Sequence, residues 1–425
     1  MLFQAPRGTG DILPEEQGYW RLVRDQAAKT AALYGYGRID TPVFEDARLF
    51  ARGVGEMTDV IEKETYTFQD RGDDLLTLRP EGTAPVCRAY LEHGMSNLPQ
   101  PVRLYYLSPI FRYERPQSGR YRQHHQFGVE ALGDGDASVD AEVIELGWRL
   151  LESFGLADLS LGINTIGDSE CRPGYIDALR GYYERHVDSV CPDCKRRLEH
   201  NTLRLLDCKE DICQLIIAEA PASVDYLCDA CGDHWAGLLK HLEKLGLPFN
   251  VDNRLVRGFD YYTRTVFEIT PPVEGRQNTL IGGGRYDGLV EELGGKPTAG
   301  IGLGMGIERV IANMKRLDVA TPAESRAKVL VAHIGDDAKR VALEVSSELR
   351  KGDIPAILAP ATRSLRSQLR YASAIGASHA VIIGGDELEK GVYVLRNLAR
   401  AGQEEVSNKV ELLIEKIERD LAQAE

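Results

Sequence analysis

Residues 255–268 read Leu255-Val256-Arg257-Gly258-Phe259-Asp260-Tyr261-Tyr262-Thr263-Arg264-Thr265-Val266-Phe267-Glu268. The end of this stretch, Val266-Phe267-Glu268-Ile269, is β-branched and aromatic and reads as a strand. Glycines follow as Gly282-Gly283-Gly284, leading into Arg285-Tyr286-Asp287-Gly288-Leu289. They recur at alternate positions in Gly300-Ile301-Gly302-Leu303-Gly304-Met305-Gly306. Alternate residues of a strand share a face, so this spacing removes side chains from one face and lets a flat ligand approach the backbone. A helix from about Ile307 to Lys315 follows and carries Glu308 and Arg309. A dinucleotide-binding fingerprint does not fit: no clear strand precedes Gly300, and the glycines lack the two-residue gap of that motif.

On the N-terminal side, Pro14 to Tyr34 reads as a helix, with Trp20, Val23, Ala27, Ala31 and Tyr34 at helical spacing. Residues 100–115 favour a strand, Pro116 to Arg120 a polar turn, and Gln123 to Leu132 a second strand. The result is a long hairpin with a basic loop. Arg112, Glu114, Arg115, Arg120 and Arg122 cluster around it. A guanidinium is planar, bidentate and always charged, which suits phosphate oxygens. The same charges also suit a surface hairpin laced with ion pairs. In Leu78-Arg79-Pro80-Glu81-Gly82-Thr83-Ala84, a carboxylate and a hydroxyl two residues apart can together hold an α-ammonium group. Taken alone, that segment reads equally as a solvated turn.

Residues 172–245 break the pattern with seven charged or polar helical stretches, and six of the eight cysteines fall between Cys191 and Cys231. They read as an insertion. Cys191-Pro192-Asp193-Cys194 and Cys228-Asp229-Ala230-Cys231 are two C-x-x-C pairs with 33 residues between them. Such knuckles together can form a tetrahedral four-sulfur zinc site, with Cys208 and Cys213 as competing ligands. The alternative is reduced, unligated thiols. A redox pair does not fit, because the surrounding pattern is not βαβ.

Residues 317–327 read as a linker, after which strands alternate with helices. Lys328–His333, Ile354–Leu358, His379–Ile383 and Gly391–Leu395 are strands; Lys339–Lys351 and Leu365–Ile375 are helices. This implies an α/β domain. Arg363, Arg366 and Arg370, at i, i+3 and i+7, share a helical face that suits phosphates or bases, or plain solvent.

The 425 residues suggest two to four domains. A net charge of −14 argues against non-specific coating of nucleic acid, which is driven by phosphate neutralisation, but leaves room for a local basic surface. The N-terminus lacks a signal-peptide pattern, and no apolar run approaches the ~18 residues of a membrane span. The cysteines are too few for a secreted disulfide framework. The cytoplasm is the expected compartment.

Together these segments resemble the histidyl-tRNA synthetase family over nearly the whole chain. Arg112 with Glu114 is similar to motif 2 of class II synthetases, and Gly304 to Arg309 to motif 3. Residues 35–50, with Pro42, resemble the dimer-forming motif 1. Arg257 to Tyr262 and Gly283 to Gly288 resemble the two peptides peculiar to histidyl enzymes. The resemblance implies an α+β fold. Residues 1–171 and 246–316 would form a class II antiparallel sheet with helices, 172–245 a small helical insertion, and 328–425 an α/β anticodon-binding domain. It implies ATP-dependent activation of L-histidine, with Mg2+ accompanying ATP, transfer to the 3′ end of tRNA(His), and a homodimer.

The same resemblance implies residue roles. Glu81, Thr83 and Gln126 would bind the α-amino group of histidine. Glu130 and Tyr262 would contact the imidazole, and Tyr286 would line that pocket. Arg112 and Arg257 would face the α-phosphate, with Arg257 doing what a metal ion does in other class II enzymes. Arg309 and Arg120 would hold the γ-phosphate, with Glu114 in the same ATP site. The family often has an aromatic residue stacked on adenine where this chain has His124; an imidazole also stacks. Arg115 and Gln117 would approach the acceptor end of the tRNA, and Arg363, Arg366 and Arg370 its anticodon. Two rival readings are an inactive paralogue, the regulatory subunit of ATP phosphoribosyltransferase, and a tRNA-binding module without chemistry. The first typically lacks the anticodon domain and erodes the histidine-specific peptides; the second leaves the adenylation residues unexplained.

Overall fold

A computed structural model describes residues 3–54, 63–114, 120–272, 279–321, 329–360, 363–398, 400 and 402–422. The chain forms two compact units, Met1–Thr321 and Pro322–Glu425. The first is built on an eight-stranded sheet. Its strands are β1 (Gly37–Arg38), β2 (Val102–Phe111), β3 (Gln123–Leu132), β4 (Ser160–Thr165), β5 (Asn250–Val251), β6 (Thr263–Thr270), β7 (Ile281–Arg285) and β8 (Gly300–Gly306). Their order across the sheet is β1-β2-β3-β8-β7-β6-β4-β5. Neighbours are antiparallel except at the two edges, where β1 joins β2 and β5 joins β4 in parallel. Both glycine-rich runs are central strands of this sheet.

The period of two along these strands decides which face is core. Phe127, Val129 and Ala131 of β3, Phe267 and Ile269 of β6, and Ile301, Leu303 and Met305 of β8 pack into one apolar cluster. Helices cover it. They are α1 (Gln17–Leu33) with Trp20, Val23, Ala27 and Ala31, and α3 (Ala137–Ser153) with Val143, Ile144, Leu146, Leu150 and Leu151. Two more are α7 (Asp229–Leu245) with Leu238 and Leu242, and α8 (Ile307–Arg316) with Ile307, Val310, Ile311 and Met314. Each fully buried aliphatic side chain contributes about 1.5–3 kcal/mol. A one-residue slip of β3 would drive Glu130 into this core, so the register is strongly set. The intervening residues, among them Gln126, Gly128, Glu130, Glu268, Gly302 and Gly304, therefore face the opposite side, where the candidate site lies.

A smaller three-stranded sheet, Phe44–Asp46, Leu75–Leu78 and Tyr66–Gln69 in spatial order, delivers the chain to α2 (Thr83–Glu92). Between them, buried Arg79 donates from Nε to the Pro109 carbonyl (2.8 Å) and from Nη1 to the Thr41 carbonyl (3.0 Å). Those bonds fix the turn that carries Glu81. Residues 172–245 contain helices and no strand: α4 (Arg172–Glu184), α5 (Pro192–His200), α6 (Asp211–Ala218) and α7, with three short 3-10 turns between them.

The second unit has a five-stranded sheet ordered β10-β9-β11-β12-β13, from β9 (Val329–His333), β10 (Ala356–Leu358), β11 (His379–Ile383), β12 (Val392–Asn397) and β13 (Gly402–Ser407). The first three are parallel and the last two antiparallel. Helices α9 (Asp336–Lys351) and α11 (Val410–Ala422) pack on one face and α10 (Leu365–Ala374) on the other. Strand β13 has one buried residue, Val406, so its sequence carries almost no apolar alternation. Among the described residues no helix is long and apolar enough to cross a membrane.

Candidate active site

The glycine pattern does not leave a bare face. All of these glycines but Gly306 make room for a polar or aromatic side chain from a neighbouring segment. A Cβ on Gly302 would lie 1.9 Å from Glu130 Oε2, one on Gly304 1.7 Å from Gln126 Nε2, and one on Gly300 2.4 Å from the Tyr286 ring. On β7, a Cβ at Gly282 would meet the Arg257 guanidinium at 2.3 Å and one at Gly284 the Tyr262 ring at 2.8 Å. The expectation of a cleared surface for a flat ligand is thus corrected: the space is filled by the side chains that would read the ligand.

At the closed end, Glu130 is 1% exposed. Its Oε1 accepts from Thr83 Oγ1 (2.8 Å) and from Tyr106 Oη (3.4 Å), and its Oε2 accepts from Tyr286 Oη (2.5 Å). An ionised carboxylate offers about four lone-pair sites, so one remains for another donor. Burial pushes the Glu130 carboxyl up to about 8; the Tyr286 and Thr83 bonds oppose that, and the nearby Glu81 charge adds to it. Glu81 is also buried. Its two oxygens accept from the backbone N–H of Thr83 (2.6 Å) and Ala84 (2.8 Å), at the start of α2. Burial raises its carboxyl as well, against the pull of those bonds and of Arg112.

At the open end lies a cavity of about 230 Å3 lined by Arg112, Arg120, His124, Arg257, Glu268 and Arg309, among others. Arg112 Nε donates to the Pro80 carbonyl (2.8 Å), and its Cζ stands 5.3 Å from the Phe259 ring centre. Arg257 is ion-paired with Glu268, and its Nε is buried with no hydrogen-bond partner among the described residues. Arg309 Nη1 donates to the Thr279 carbonyl (3.0 Å). Glu114 pairs with Arg120 at 2.9 Å and lies 3.9 Å from Arg112. His124 is held neutral: burial, with Arg112 and Arg309 nearby, pushes it down to about 3. Glu308 accepts from the His125 backbone N–H and meets its Nδ1, each at 2.9 Å, and so ties α8 to β3. One face of one sheet thus carries a buried acid that accepts from three hydroxyls, next to a group of arginines suited to an anion.

The family model described as Histidyl-tRNA synthetase matches residues 8–169 and 188–310, and one described as Anticodon binding domain matches 328–420. A histidine-tRNA ligase of Dehalococcoides mccartyi is 58% identical over 402 residues, covering 95% of this chain and 96% of that protein. The chain belongs to the histidyl-tRNA synthetase family. A histidine-tRNA ligase of Caldanaerobacter subterraneus subsp. tengcongensis is 45% identical and covers 99% of both chains. The crystal structure of apo S. aureus histidyl-tRNA synthetase matches with a TM-score of 0.80 and 37% identity, covering 98% of this chain and 100% of that one. The α+β class II fold with a C-terminal anticodon-binding domain follows from these matches together with the sheet described above.

Within this synthetase fold, Glu81, Thr83, Glu130, Tyr262 and Tyr286 come together at the closed end, and Gln126 lines the open end with Arg112, Glu114, Arg120, His124, Arg257 and Arg309. Arg115 and Gln117 lie outside the described residues. Three members of the site were not picked out from sequence. Tyr106 stands in a slot between Gly82 and Gly128, whose Cβ atoms would fall 2.4 and 2.3 Å from its hydroxyl. Its register partner Gly128 was the available signal. Tyr261 is buried with its ring 4.7 Å from Tyr262 and 5.9 Å from Tyr286. Glu268 holds Arg257 and accepts from Thr279 Oγ1 at 2.8 Å. Arg285, set among the same glycines, faces the other way. It is fully buried on Asp140 and Asp287, and Asp140 also meets His234 at 2.8 Å. It braces β7 against α3 and α7.

Two further expectations are corrected. Cys191, Cys194, Cys228 and Cys231 do not form one ligand set. Cys191 and Cys194 gather with Cys208 and Cys213, whereas Cys228 and Cys231 gather with Cys171 and Asp168. The first set closes on itself through α5 and α6; the second C-x-x-C opens α7, which packs beside α3 in the sheet's core. In the second unit, Arg366 and Arg370 lie exposed on α10, but Arg363 precedes that helix, with its Cζ 5.4 Å from the Tyr371 ring centre. The three arginines therefore do not share one helical face.

Proposed function

We propose that this chain activates L-histidine with ATP to histidyl-adenylate and transfers the histidyl group to the 3′ end of tRNA(His). The observation that carries this reading is the buried Glu130, held by Thr83, Tyr106 and Tyr286 with one acceptor position to spare. An imidazole has two ring nitrogens, and in its neutral form one donates and one accepts. Glu130 takes the N–H, and Tyr262 lies on the same face to answer the other nitrogen. A buried site built to satisfy both nitrogens rejects isosteres that leave them unpaired. Glu81, Thr83 and Gln126 hold the α-ammonium, which leaves the carboxylate directed to the arginine cavity.

There the histidine carboxylate attacks the α-phosphorus of ATP in line. The new C–O–P bond forms as the bond to the β-phosphate oxygen breaks and pyrophosphate leaves. Negative charge builds on the non-bridging oxygens of the α-phosphate, where Arg112 and Arg257 stabilise it as it develops. Both are preorganised, Arg112 by the Pro80 carbonyl and Arg257 by Glu268. The neutral His124 ring offers a stacking surface for adenine, and Arg309 with Arg120 holds the γ-phosphate. Mg2+ enters with ATP as part of the substrate. In the second step a hydroxyl at the 3′ end of the tRNA attacks the acyl carbon and AMP leaves. Arg115 and Gln117 approach the acceptor end, and Arg363, Arg366 and Arg370 the anticodon stem and loop.

A homodimer is part of this reading. The small sheet, whose first strand lies within residues 35–50, exposes Phe44, Phe68 and Leu75, with exposed Val43 beside it, apolar side chains that a partner would cover. The domain divisions at 172–245 and 317–327, and a cytoplasmic location shared with the tRNA, complete it. An inactive regulatory paralogue finds no support in a site with Glu81, Glu130, Arg112, Arg257 and Arg309 all in place. The test is exchange of labelled pyrophosphate into ATP with each amino acid in turn. Exchange with histidine alone is expected; folded protein that exchanges with none of them would overturn the reading.

A further inference from the structure

Four cysteines meet inside the helical insertion. Cys191 precedes α5 and Cys194 lies in its first turn; Cys208 follows the 3-10 turn Thr202–Leu205, and Cys213 lies in the first turn of α6. All four are buried, and their sulfurs lie within 4.8 Å of one another. Cys191 Sγ is 3.7 Å from Cys208 Sγ, and Cys213 Sγ is 3.9 Å from Cys194 Sγ. Zinc bound to four thiolates at about 2.3 Å in a tetrahedron spaces its sulfurs by about 3.8 Å. A disulfide needs its sulfurs at about 2 Å, so the observed spacing suits a shared ion better than a bridge.

Backbone N–H groups point at the sulfurs. The Cys194 N–H donates to Cys191 Sγ (3.4 Å) and the Cys191 N–H to Cys213 Sγ (3.3 Å). Donors of this kind favour the thiolate form that a metal requires. The other cluster is less suited. Its Asp168 is already ion-paired with Arg264 at 3.1 Å, so a cation there competes with a guanidinium.

We propose that Cys191, Cys194, Cys208 and Cys213 bind a structural zinc ion that shapes the segment 195–207 and presses it against the peptide carrying Arg257. That segment reaches the active site from behind. Asn201 Nδ2 donates to Asp260 Oδ1 at 2.9 Å, and Thr202, Leu203 and Arg204 line a second cavity of about 230 Å3 with Val256 and Phe259. The ion takes no part in the chemistry. It adds a cross-link to an insertion that also buries Tyr175, Leu179, Tyr183, Leu205 and Ile217.

The test is metal analysis of the full-length protein purified in reductant without chelator, followed by exchange with cobalt(II). About one zinc per chain is expected, as for a closed structural site, and the cobalt form should show the charge-transfer and ligand-field bands of a tetrahedral four-thiolate complex. Cys208→Ser and Cys213→Ser lose the ion, and Cys228→Ser and Cys231→Ser keep it. Should the first pair fail to fold, the cobalt spectrum of the parent protein still counts the sulfurs. No zinc as purified, with none taken up by the reduced protein, overturns the proposal. So does an ion that survives Cys213→Ser and is lost in Cys231→Ser. None of these readings depends on aminoacylation.

Discussion

Gly302→Ala places one methyl group where a carboxylate now sits. A Cβ at that position would lie 1.9 Å from Glu130 Oε2 and 2.6 Å from the Val129 carbonyl oxygen. The carbonyl belongs to the backbone of the strand paired with β8, so the side chain has to yield. Glu130 then loses its bonds from Tyr286 (2.5 Å) and Thr83 (2.8 Å). With histidine bound, Glu130 acts as the ionised acceptor, and a hydrogen bond to a charged group contributes about 1.5–3 kcal/mol, so losing two costs about 3–6 kcal/mol. That corresponds to a loss on the order of 100- to 10,000-fold in an equilibrium constant. Overpacking adds a global destabilisation of about 1–3 kcal/mol. Gly306→Ala, on the same face of the same strand, is the control: its Cβ meets nothing nearer than Arg309 Cδ at 3.7 Å, an ordinary contact. The assay is pyrophosphate exchange with histidine and ATP varied separately, alongside thermal melts. In Gly302→Ala, kcat/KM for histidine should fall by about 100-fold or more, while KM for ATP stays near the parent value. Gly306→Ala should keep the parent's histidine kinetics. Folded Gly302→Ala with parental histidine kinetics would refute the placement of Glu130 as the imidazole reader.

Arg257→Ala removes a preorganised cation from the α-phosphate and should slow adenylate formation by about 100- to 1,000-fold, with ATP binding still measurable by titration; an unchanged exchange rate would reject the role. The Glu130 carboxyl, raised to about 8 by burial in the ligand-free protein, carries a proton there that the unfolded chain has already released. Between the ordinary carboxylate range and about pH 8, stability should therefore fall as pH rises, by at most about 1.4 kcal/mol per pH unit. Glu130→Gln should remove that slope, and parallel urea-midpoint profiles for the two proteins would contradict it. Arg366→Ala with Arg370→Ala should raise KM for tRNA and leave pyrophosphate exchange untouched, since both arginines lie on the second unit; equal loss in both assays would argue against an anticodon role.

Much of this protein is legible in one dimension. Helix α1 runs where apolar periodicity places it, because it buries one face and the period records which, and strand β11 shows as a short apolar run because it is buried on both faces. Strand β13 was invisible for the converse reason: it buries Val406 alone and leaves Gln403, Glu404 and Glu405 to solvent. The peptides 255–268 and 283–289 identify the family because so many unusual residues sit at set distances along the chain.

Spacing alone does not say which way a side chain points. Arg285 and Tyr286 are neighbours, yet one braces Asp140 and the other donates to Glu130, since adjacent residues of a strand face opposite sides. Nor does spacing pair cysteines: the two C-x-x-C motifs look alike, and only the packing of α5 and α6 unites Cys191 and Cys194 with Cys208 and Cys213. Chain order by itself determined the family, the longer apolar elements and most residue types of the site. The tertiary structure alone decided which glycine seats which side chain and which sulfurs meet, because both depend on contacts between segments far apart in sequence.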